Sequence, residues 1–239
     1  MNREEIEERL ERNQIPHDAA LAEKLEIYLR LLQEWNARMD LTATLEAAET
    51  ADRHFIDSLA VLRTDRIFPG ASLIDVGTGA GFPGMVLAMA RPDLSVTLTD
   101  AQQKRLNFLE ALQEAAEIRN VTLLHARAED AGRDRKYREM FDFAAARAVA
   151  PLNVLAEYLL PFVKVGGCAL GWKGPALEKE LEAGRRAARL LGGRLELPEQ
   201  YTVDGRDWEH TILPIRKVEK TPSAYPRKAG TPKAKPLGE

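Results

Sequence analysis

A glycine-rich segment at residues 75–84 constrains the fold of this chain more than any other feature. Its sequence, DVGTGAGFPG, ends a short apolar run at 72–76 and leads into a helical stretch at 82–90. Glycines in such a turn let the backbone bend sharply and approach a ligand with no Cβ in the way. A strand, a glycine turn and a helix in this order predict a βαβ unit that binds a nucleotide-like ligand. Four glycines in this context disfavour the alternative, an ordinary strand–helix turn.

Beyond this turn, short apolar runs alternate with helical stretches. The pattern predicts strands at 72–76, 94–99, 121–125, 141–145, 163–172, 194–203 and 210–218, and helices at 82–90, at 103–117, from Pro151 onward and at 178–191. Such alternation predicts an α/β fold, a doubly wound and mostly parallel seven-stranded sheet with helices on both faces. Ligands bind such sheets at the carboxyl ends of the strands.

The first 68 residues contain no convincing strand pattern and predict a helical N-terminal cap. One apolar stripe recurs at a spacing of three to four residues, through Leu21, Leu25, Tyr28, Leu32, Trp35 and Met39. Asp18 stands where a helix N-cap is expected, and a second helical run covers 50–62. We therefore divide the chain into a cap (1–68), an α/β domain (69–218) and a basic, proline-rich tail (219–239).

Composition and charge exclude several classes of protein. The chain has 239 residues, of which 45% are hydrophobic, and no run of about eighteen apolar residues that would predict a membrane span. Its single cysteine, Cys168, excludes an internal disulfide framework, which favours a reducing, cytoplasmic location. Cys168 lies in an apolar strand pattern, which favours a core position. The few histidines are scattered, so we expect no metal site. The net charge of −3 argues against a generally basic nucleic-acid binder, although the tail is rich in lysine and arginine.

Acidic residues around the glycine-rich turn indicate which ligand it holds. The turn also satisfies a dinucleotide fingerprint, and Asp100, at the end of the second strand, suits a ribose in either case. Asp75 is the discriminating residue, because a carboxylate there suits the cationic amino group and sulfonium of S-adenosylmethionine. The same carboxylate would make no favourable contact with a pyrophosphate. S-adenosylmethionine is therefore favoured over a nicotinamide cofactor. The predicted cofactor residues on the first two strand ends are Asp75, Gly77, Gly79, Gly81, Phe82, Asp100, Ala101 and Gln102.

Glu129 follows the third predicted strand, where an acidic residue can read the edge of the adenine. An N-terminal helix charge, favoured by the macrodipole, is the alternative and is compatible with that role.

These motifs, taken together, point to a family. The chain combines DVGTGAGFPG with DLTA at 40–43, HFIDSL at 54–59, KR at 104–105, AE at 128–129, RAVA at 147–150, KG at 173–174 and PRKAGTPK at 226–233. In this combination it resembles, over essentially its whole length, the bacterial 16S ribosomal RNA guanine-N7 methyltransferases, also called glucose-inhibited division protein B. Asp40 and Ala101 depart mildly from the pattern, since many members have Asn and Ser there.

The resemblance implies a fold, an activity and a set of contacts. The fold is the Rossmann-like class I methyltransferase, and the activity is S-adenosylmethionine-dependent methylation of N7 of a guanine in 16S ribosomal RNA of the small subunit. The implied cofactor contacts are Gly77, Phe82, Ala128, Glu129 and Arg147. The expected partner is 16S ribosomal RNA or the small subunit, with no membrane and no obligate protein partner. The resemblance also favours a tail that is ordered, either on RNA or docked on the surface.

The residues agree with chemistry at N7, which has a lone pair and no proton and so needs no general base. Arg147 follows the fourth predicted strand and is the predicted catalytic residue, through contact with the cofactor or with guanine O6. A salt bridge beneath the site is the alternative. His54 and Asp57 are read as polar contacts at the junction of cap and core, or near the methionine end of the cofactor.

Six cations are predicted to contact RNA, namely Lys104, Arg105, Lys173, Arg227, Lys228 and Lys233. For the first two, a solvated helix face is the alternative, and for the three in the tail the alternative from charge alone is a solvated tail. Three rival functions remain open from the sequence: a nicotinamide-dependent oxidoreductase, a non-catalytic RNA-binding factor and a small-molecule methyltransferase.

Overall fold

One sheet organises the protein, which a computed structural model describes at residues 1–44 and 46–239. Its strands are β1 (Ser72–Val76), β2 (Ser95–Asp100), β3 (Val121–His125), β4 (Phe141–Arg147), β5 (Val163–Lys173), β6 (Gly193–Leu195), β7 (Glu199–Tyr201) and β8 (His210–Lys217). They lie in the order β3-β2-β1-β4-β5-β8-β6, with β7 also paired to β8. The predicted α/β fold class, with a mostly parallel sheet, is confirmed.

The far edge of the sheet differs from the seven continuous strands predicted. Strands β1 to β5 are parallel, whereas β8 is antiparallel to β5, β6 and β7. Both β6 and β7 pair with successive parts of β8, so they share one position in the sheet. The predicted strand at 194–203 is interrupted at Pro198, which has no N–H to donate to a neighbouring strand.

Helices cover both faces of the sheet and form the N-terminal cap. They are α1 (Arg3–Arg12), α2 (Ala19–Asn36), α3 (Ala47–Thr50), a π-helical turn (Ala51–Ile56), α4 (Asp57–Leu59), a 3-10 turn (Ala60–Arg63), α5 (Gly84–Ala90), α6 (Gln103–Ala115), α7 (Ala128–Ala131), α8 (Leu152–Leu159), a second 3-10 turn (Leu160–Phe162), α9 (Leu177–Leu190) and α10 (Thr231–Ala234). None of the helices in the described residues is both long and apolar enough to span a membrane.

Local signals in the sequence explain the first two helices of the cap. Asp18 caps α2 as predicted, because its side chain accepts a hydrogen bond of 2.9 Å from the N–H of Leu21. Leu21, Leu25, Tyr28 and Leu32 of the predicted stripe are buried in α2, whereas Trp35 is half-buried and Met39 lies beyond the end of the helix. The second helical run exists, although it is irregular. Helix α1 was not predicted, yet it carries a capping box between Asn2 and Glu5 and buries Ile6 and Leu10.

The cap supports the glycine-rich turn directly through Tyr28 of α2. The Tyr28 ring is fully buried and stacks on Phe82 with centroids 5.2 Å apart. Its hydroxyl donates to the carbonyl of Ala80 in the turn. A Cβ at Gly81, where φ is +103°, would lie under 3.0 Å from Tyr28, Leu109 and Met85. Glycine at this position therefore allows the cap to pack against the turn.

The C-terminal tail is ordered and docked on the α/β domain. Arg227 pairs with Glu157 of α8, the N–H of Gly230 donates to Glu129, and the carbonyl of Leu237 accepts from Asn153. The tail thus passes along α8 and reaches the carboxyl ends of the strands.

Candidate active site

A cavity of about 580 Å³ lies where β1, β2 and β4 end. Nine of the eleven residues predicted to bind the cofactor line it: Gly77, Gly79, Phe82, Asp100, Ala101, Gln102, Ala128, Glu129 and Arg147. Its place agrees with the rule that ligands bind parallel sheets at the carboxyl ends of the strands. We call it the first cavity.

Asp100 joins the glycine-rich turn to the end of β2. Its carboxylate accepts hydrogen bonds from the N–H groups of Gly79 (3.0 Å) and Gln102 (2.9 Å) and pairs with Arg105 at 3.2 Å. Gly77 and Gly79 adopt φ values of +71° and +61°, which side chains other than glycine rarely tolerate. Three donors leave Asp100 with about one of its roughly four lone-pair directions for a ligand hydroxyl.

Asp75 lies behind the first cavity and is not part of its lining. Its side chain is completely buried, and Oδ2 accepts from the hydroxyl of Thr78 (2.7 Å) and the N–H of Gly84 (2.8 Å). Oδ1 is buried without a hydrogen-bond partner among the described residues. This placement differs from the predicted contact with the cationic amino group of the cofactor, because the carboxylate turns inward to hold both ends of the glycine-rich turn.

The burial of Asp75 gives a prediction for stability. Burial raises the pKa of Asp75 from 3.8 to about 6, and the hydrogen bonds from Thr78 and Gly84 only partly oppose this. A carboxyl with a raised folded-state pKa destabilises the fold once the unfolded chain ionises, so the penalty appears above about pH 4 and is complete above about pH 6. Asp75→Asn keeps one oxygen for both donors and removes the charge.

We therefore expect the stability of Asp75→Asn to rise relative to that of the wild type as the pH increases from about 4 to about 6. The gain should approach about 3 kcal/mol, since each pKa unit corresponds to about 1.4 kcal/mol. Urea unfolding of both proteins at several pH values measures the difference. A difference that stays constant with pH would show that Asp75 does not titrate in this range.

Gly81, also predicted to bind the cofactor, lies outside the lining as well. The absence of a side chain at Gly81 leaves room for Tyr28 of the cap rather than for a ligand.

The far end of the first cavity combines α7 with the tail. Glu129 is 4% exposed, and its Oε1 accepts a hydrogen bond of 2.8 Å from the N–H of Gly230. Gly230 and Lys233 of the tail and Tyr158 of α8 complete this wall. Sequence reasoning missed Tyr158 and Gly230 as lining residues, because their approach depends on how the tail packs across the domain.

Arg147 stands at the end of β4 with its guanidinium fixed by three groups. One nitrogen donates to the carbonyl of Arg53 (2.5 Å) and to Oδ2 of Asp57 (2.8 Å), and the other lies 2.8 Å from Nδ1 of His54. The guanidinium also lies over the Phe82 ring, 5.1 Å from its centroid. The salt bridge considered as the alternative role for Arg147 is therefore present, on a residue that also lines the cavity.

His54 links Arg147 to the wall of the first cavity. Burial and, next, the charge of Arg147 lower its pKa to about 3, so the ring is neutral at ordinary pH. Because Nδ1 faces an N–H of Arg147, the proton resides on Nε2, which lies 2.9 Å from Oγ1 of Thr42. The ring also stacks on Phe82 at 4.5 Å.

Asp57 connects the cap to the sheet beneath Arg147. Its Oδ1 accepts from the hydroxyl of Tyr201 and lies near Nδ1 of His210, each at 2.5 Å. Burial opposes its ionisation, but the hydrogen bond from His210 and the charge of Arg147 outweigh that effect and lower the pKa of Asp57. This arrangement agrees with the reading of His54 and Asp57 as polar contacts between cap and core.

A second cavity of about 400 Å³ adjoins the first. The two share His54, Arg147 and Ala148 as a common wall. The second cavity is further lined by Arg53, Asp57, Trp172, Lys173, Gly174, Pro175, Ala176, Glu180, Tyr201 and His210.

The six cations predicted to contact RNA fall into two groups. Lys104, Lys228 and Lys233 are exposed, and Lys233 also reaches the first cavity. The other three form ion pairs where the sequence predicted contacts with RNA: Arg105 with Asp100, Lys173 with Glu180 and Arg227 with Glu157. Buried or half-buried carboxylates need such partners, which explains why these cations turn toward the protein.

Solved structures resemble this fold over most of the sheet. A 16S rRNA adenine-N1 methyltransferase from Catenulisporales acidiphilia is 16% identical, with a TM-score of 0.53 over 64% of this chain and 90% of that one. The YcgJ protein of Bacillus subtilis is 13% identical, with a TM-score of 0.52 over 70% of this chain and all of that one. These similarities support the fold alone.

Comparison of sequences identifies the family of this chain. The family described as GidB, rRNA small subunit methyltransferase G, matches residues 21–202. Proteins named ribosomal RNA small subunit methyltransferase G are 46% identical in Alkaliphilus oremlandii, over 88% of each chain, and 43% identical in Alkaliphilus metalliredigens, over 90% of each chain. The chain therefore belongs to the rRNA small subunit methyltransferase G family, as its motifs predicted.

Proposed function

We propose that this chain transfers the methyl group of S-adenosylmethionine to N7 of a guanine in 16S ribosomal RNA of the small subunit. Membership of the family supports methyl transfer to small-subunit rRNA. The observation that carries the proposal is the common wall of His54, Arg147 and Ala148 between two cavities. A methyl donor in one cavity and a base in the other would meet across Arg147.

The residues of the first cavity fit S-adenosylmethionine. The glycine-rich turn presents backbone without side chains, and Asp100 retains an acceptor for a ribose hydroxyl. Glu129 and Ala128 lie together at the end suited to the adenine. Phe82 and the neutral His54 form a flat, largely apolar face beside Arg147.

The chain's own residues mainly position the reactants. When bound, S-adenosylmethionine supplies an electrophilic methyl group on a sulfonium. Guanine N7 offers a lone pair and no proton, so no side chain has to act as a base. Holding the base in line with the methyl group is the larger contribution, and the three-point anchoring of Arg147 provides a rigid contact for it. Methyl transfer moves the positive charge from the sulfonium to the base, so the net charge of the site stays the same.

The proposed substrate also defines a partner and a location. Lys104, Lys228 and Lys233 are exposed and are proposed to meet RNA phosphates. Lys233 lines the first cavity, and Lys104 and Lys228 lie within two residues in sequence of its lining residues Arg105 and Gly230. We place the protein in the cytoplasm, with 16S rRNA or the small subunit as its partner. We also retain the division into a cap (1–68), a methyltransferase domain (69–218) and a tail (219–239).

One assay tests the proposed function. The protein is incubated with labelled S-adenosylmethionine and small-subunit RNA from cells that lack the enzyme, and the RNA is then cleaved chemically at 7-methylguanine. We expect one new cleavage site and incorporation of label into RNA. Cofactor binding without a new site would contradict methylation at N7. Binding of RNA without any incorporation of label would favour a non-catalytic factor, and binding of NAD instead of S-adenosylmethionine would favour an oxidoreductase.

A further inference from the structure

We propose that the second cavity holds the target guanine and that the Lys173–Glu180 pair selects guanine over adenine. This inference rests on the proposed function and assigns its base-recognition site. Lys173 ends β5 and Glu180 lies in the first turn of α9, and both line the second cavity. Their role as readers of the base differs from the phosphate contact predicted for Lys173 from the sequence.

The chemistry of methylation cannot by itself select guanine. Both purines carry an N7 with a lone pair, and neither N7 has a proton. A residue that merely aligns N7 with the methyl group would also admit adenine. Selection therefore requires groups that contact the atoms in which the two purines differ, at positions 6, 1 and 2 of the ring.

Lys173 and Glu180 present a donor and an acceptor side by side. Nζ of Lys173 lies 2.5 Å from Oε2 of Glu180 and 3.2 Å from the carbonyl of Ala150. The same Oε2 accepts the N–H of Leu152 at 2.7 Å. Within the described residues no group donates to Oε1 of Glu180, and its side chain is 21% exposed. An ammonium proton and a carboxylate oxygen thus remain for a ligand in the second cavity.

This pair complements guanine and opposes adenine. Along its edge guanine presents O6, an acceptor, followed by N1–H and the 2-amino group, both donors. Adenine presents a 6-amino donor followed by N1, an acceptor. Lys173 facing O6 and Glu180 facing N1–H and the 2-amino group satisfy guanine, whereas adenine would place donor against donor and acceptor against acceptor.

The location of the cavity suits a base removed from its stack. Enzymes that modify a base within folded nucleic acid turn it out into a pocket. The second cavity adjoins the first through His54, Arg147 and Ala148, and it carries aromatic rings in its lining from Trp172 and Tyr201. A base there has N7 directed toward the methyl donor when its far edge faces Lys173 and Glu180.

A comparison of guanosine with inosine tests the assignment. Inosine keeps N7, O6 and N1–H but lacks the 2-amino group. Small-subunit RNA is ligated with either nucleoside at the methylated position, and kcat/KM for label incorporation is measured. We expect wild type to lose about tenfold or more on inosine, because Glu180 loses a charge-assisted hydrogen bond.

Glu180→Gln should lose that discrimination. Its oxygen can keep Leu152 and Lys173 as donors, which leaves an amide NH2 facing the donors of guanine. We expect kcat/KM on guanosine to fall about ten- to a hundredfold. Replacing guanosine by inosine should then lower kcat/KM by a further factor of about two at most. Binding of S-adenosylmethionine should be unchanged. Lys173→Gln should instead lose activity equally on both RNAs, since both bases carry O6.

Glu182→Gln is the matched control, because Glu182 lies on the same helix, is 78% exposed and, among the residues that the structure describes, pairs only with Arg186. It should behave as the wild type on both RNAs. Equal activity of the wild type on guanosine and inosine overturns the assignment, even where Glu180→Gln fails to fold. So does a Glu180→Gln variant with the wild-type ratio. Absence of 7-methylguanine in the wild-type reaction is a separate result, which refutes the proposed function.

Discussion

Replacement of Arg147 by alanine is expected to lower kcat for methyl transfer by about a hundredfold, a loss typical of misplacing reacting groups by about 1 Å. Arg147 lines both cavities, and its guanidinium is held by Arg53, Asp57 and His54. Alanine removes the side chain that is proposed to position the base against the methyl donor, and it opens the wall between the two cavities. Steady-state kinetics with small-subunit RNA measure the loss.

Two further variants separate positioning from stability. Arg147→Lys keeps the charge but replaces the planar guanidinium, whose two nitrogens hold these contacts, with a single ammonium nitrogen, so we expect an intermediate kcat. His54→Asn places an amide oxygen near the position of Nδ1, which can still accept from Arg147, whereas His54→Ala cannot. We expect the first to retain more activity than the second. A fully active Arg147→Ala, or losses that follow the melting temperature alone, would exclude Arg147 from the reaction.

Local patterns allowed the prediction of most strands and of the residues at their ends. The turn at 75–84 and the alternation after it determine a parallel sheet, and parallel strands bring their carboxyl ends together. Gly79, Asp100 and Glu129, which are far apart in sequence, line one cavity for this reason. The N-cap at Asp18 is equally local, because it involves a residue three positions along the chain.

The orientation of the Asp75 side chain could not be predicted from the local sequence. Its place at the end of β1 was correct, but the direction of its carboxylate depends on Gly84, whose N–H returns to it across the turn. A side chain at a strand end can face the ligand or the turn, and the sequence alone does not decide which. Membership of the family and the position of Asp100, rather than Asp75, support S-adenosylmethionine as the proposed cofactor.

Contacts between distant segments could not be predicted from the sequence. Arg147 meets Asp57 across 90 positions, and Arg227 meets Glu157 across 70. One signal was nevertheless present, since Glu157 stands in the largely apolar segment LNVLAEYL of α8. A charge buried in an apolar helix requires a partner, and the basic tail contains several cations that could provide one.

Replacement of Arg227 by alanine is expected to lower the free energy of unfolding by about 3–5 kcal/mol, the usual cost of removing one partner of a buried pair. Glu157 has no exposed surface, and its oxygens receive the Arg227 side chain at 3.0 and 2.6 Å. Without that side chain, the buried carboxylate keeps, within the described part of the chain, only the backbone N–H of residue 227 as a donor, at 2.8 Å. Urea unfolding measures the change.

The double variant Glu157→Gln with Arg227→Ala should recover most of that stability, because it removes the buried charge along with its partner. Lys228→Ala is the control, since Lys228 is an exposed neighbour in the same tail, and we expect a change within about 0.5 kcal/mol. Arg227→Ala should also weaken binding of S-adenosylmethionine, because the tail brings Gly230 to Glu129. An Arg227→Ala variant that keeps its stability and cofactor affinity but binds RNA less tightly would instead support the RNA contact predicted from the sequence.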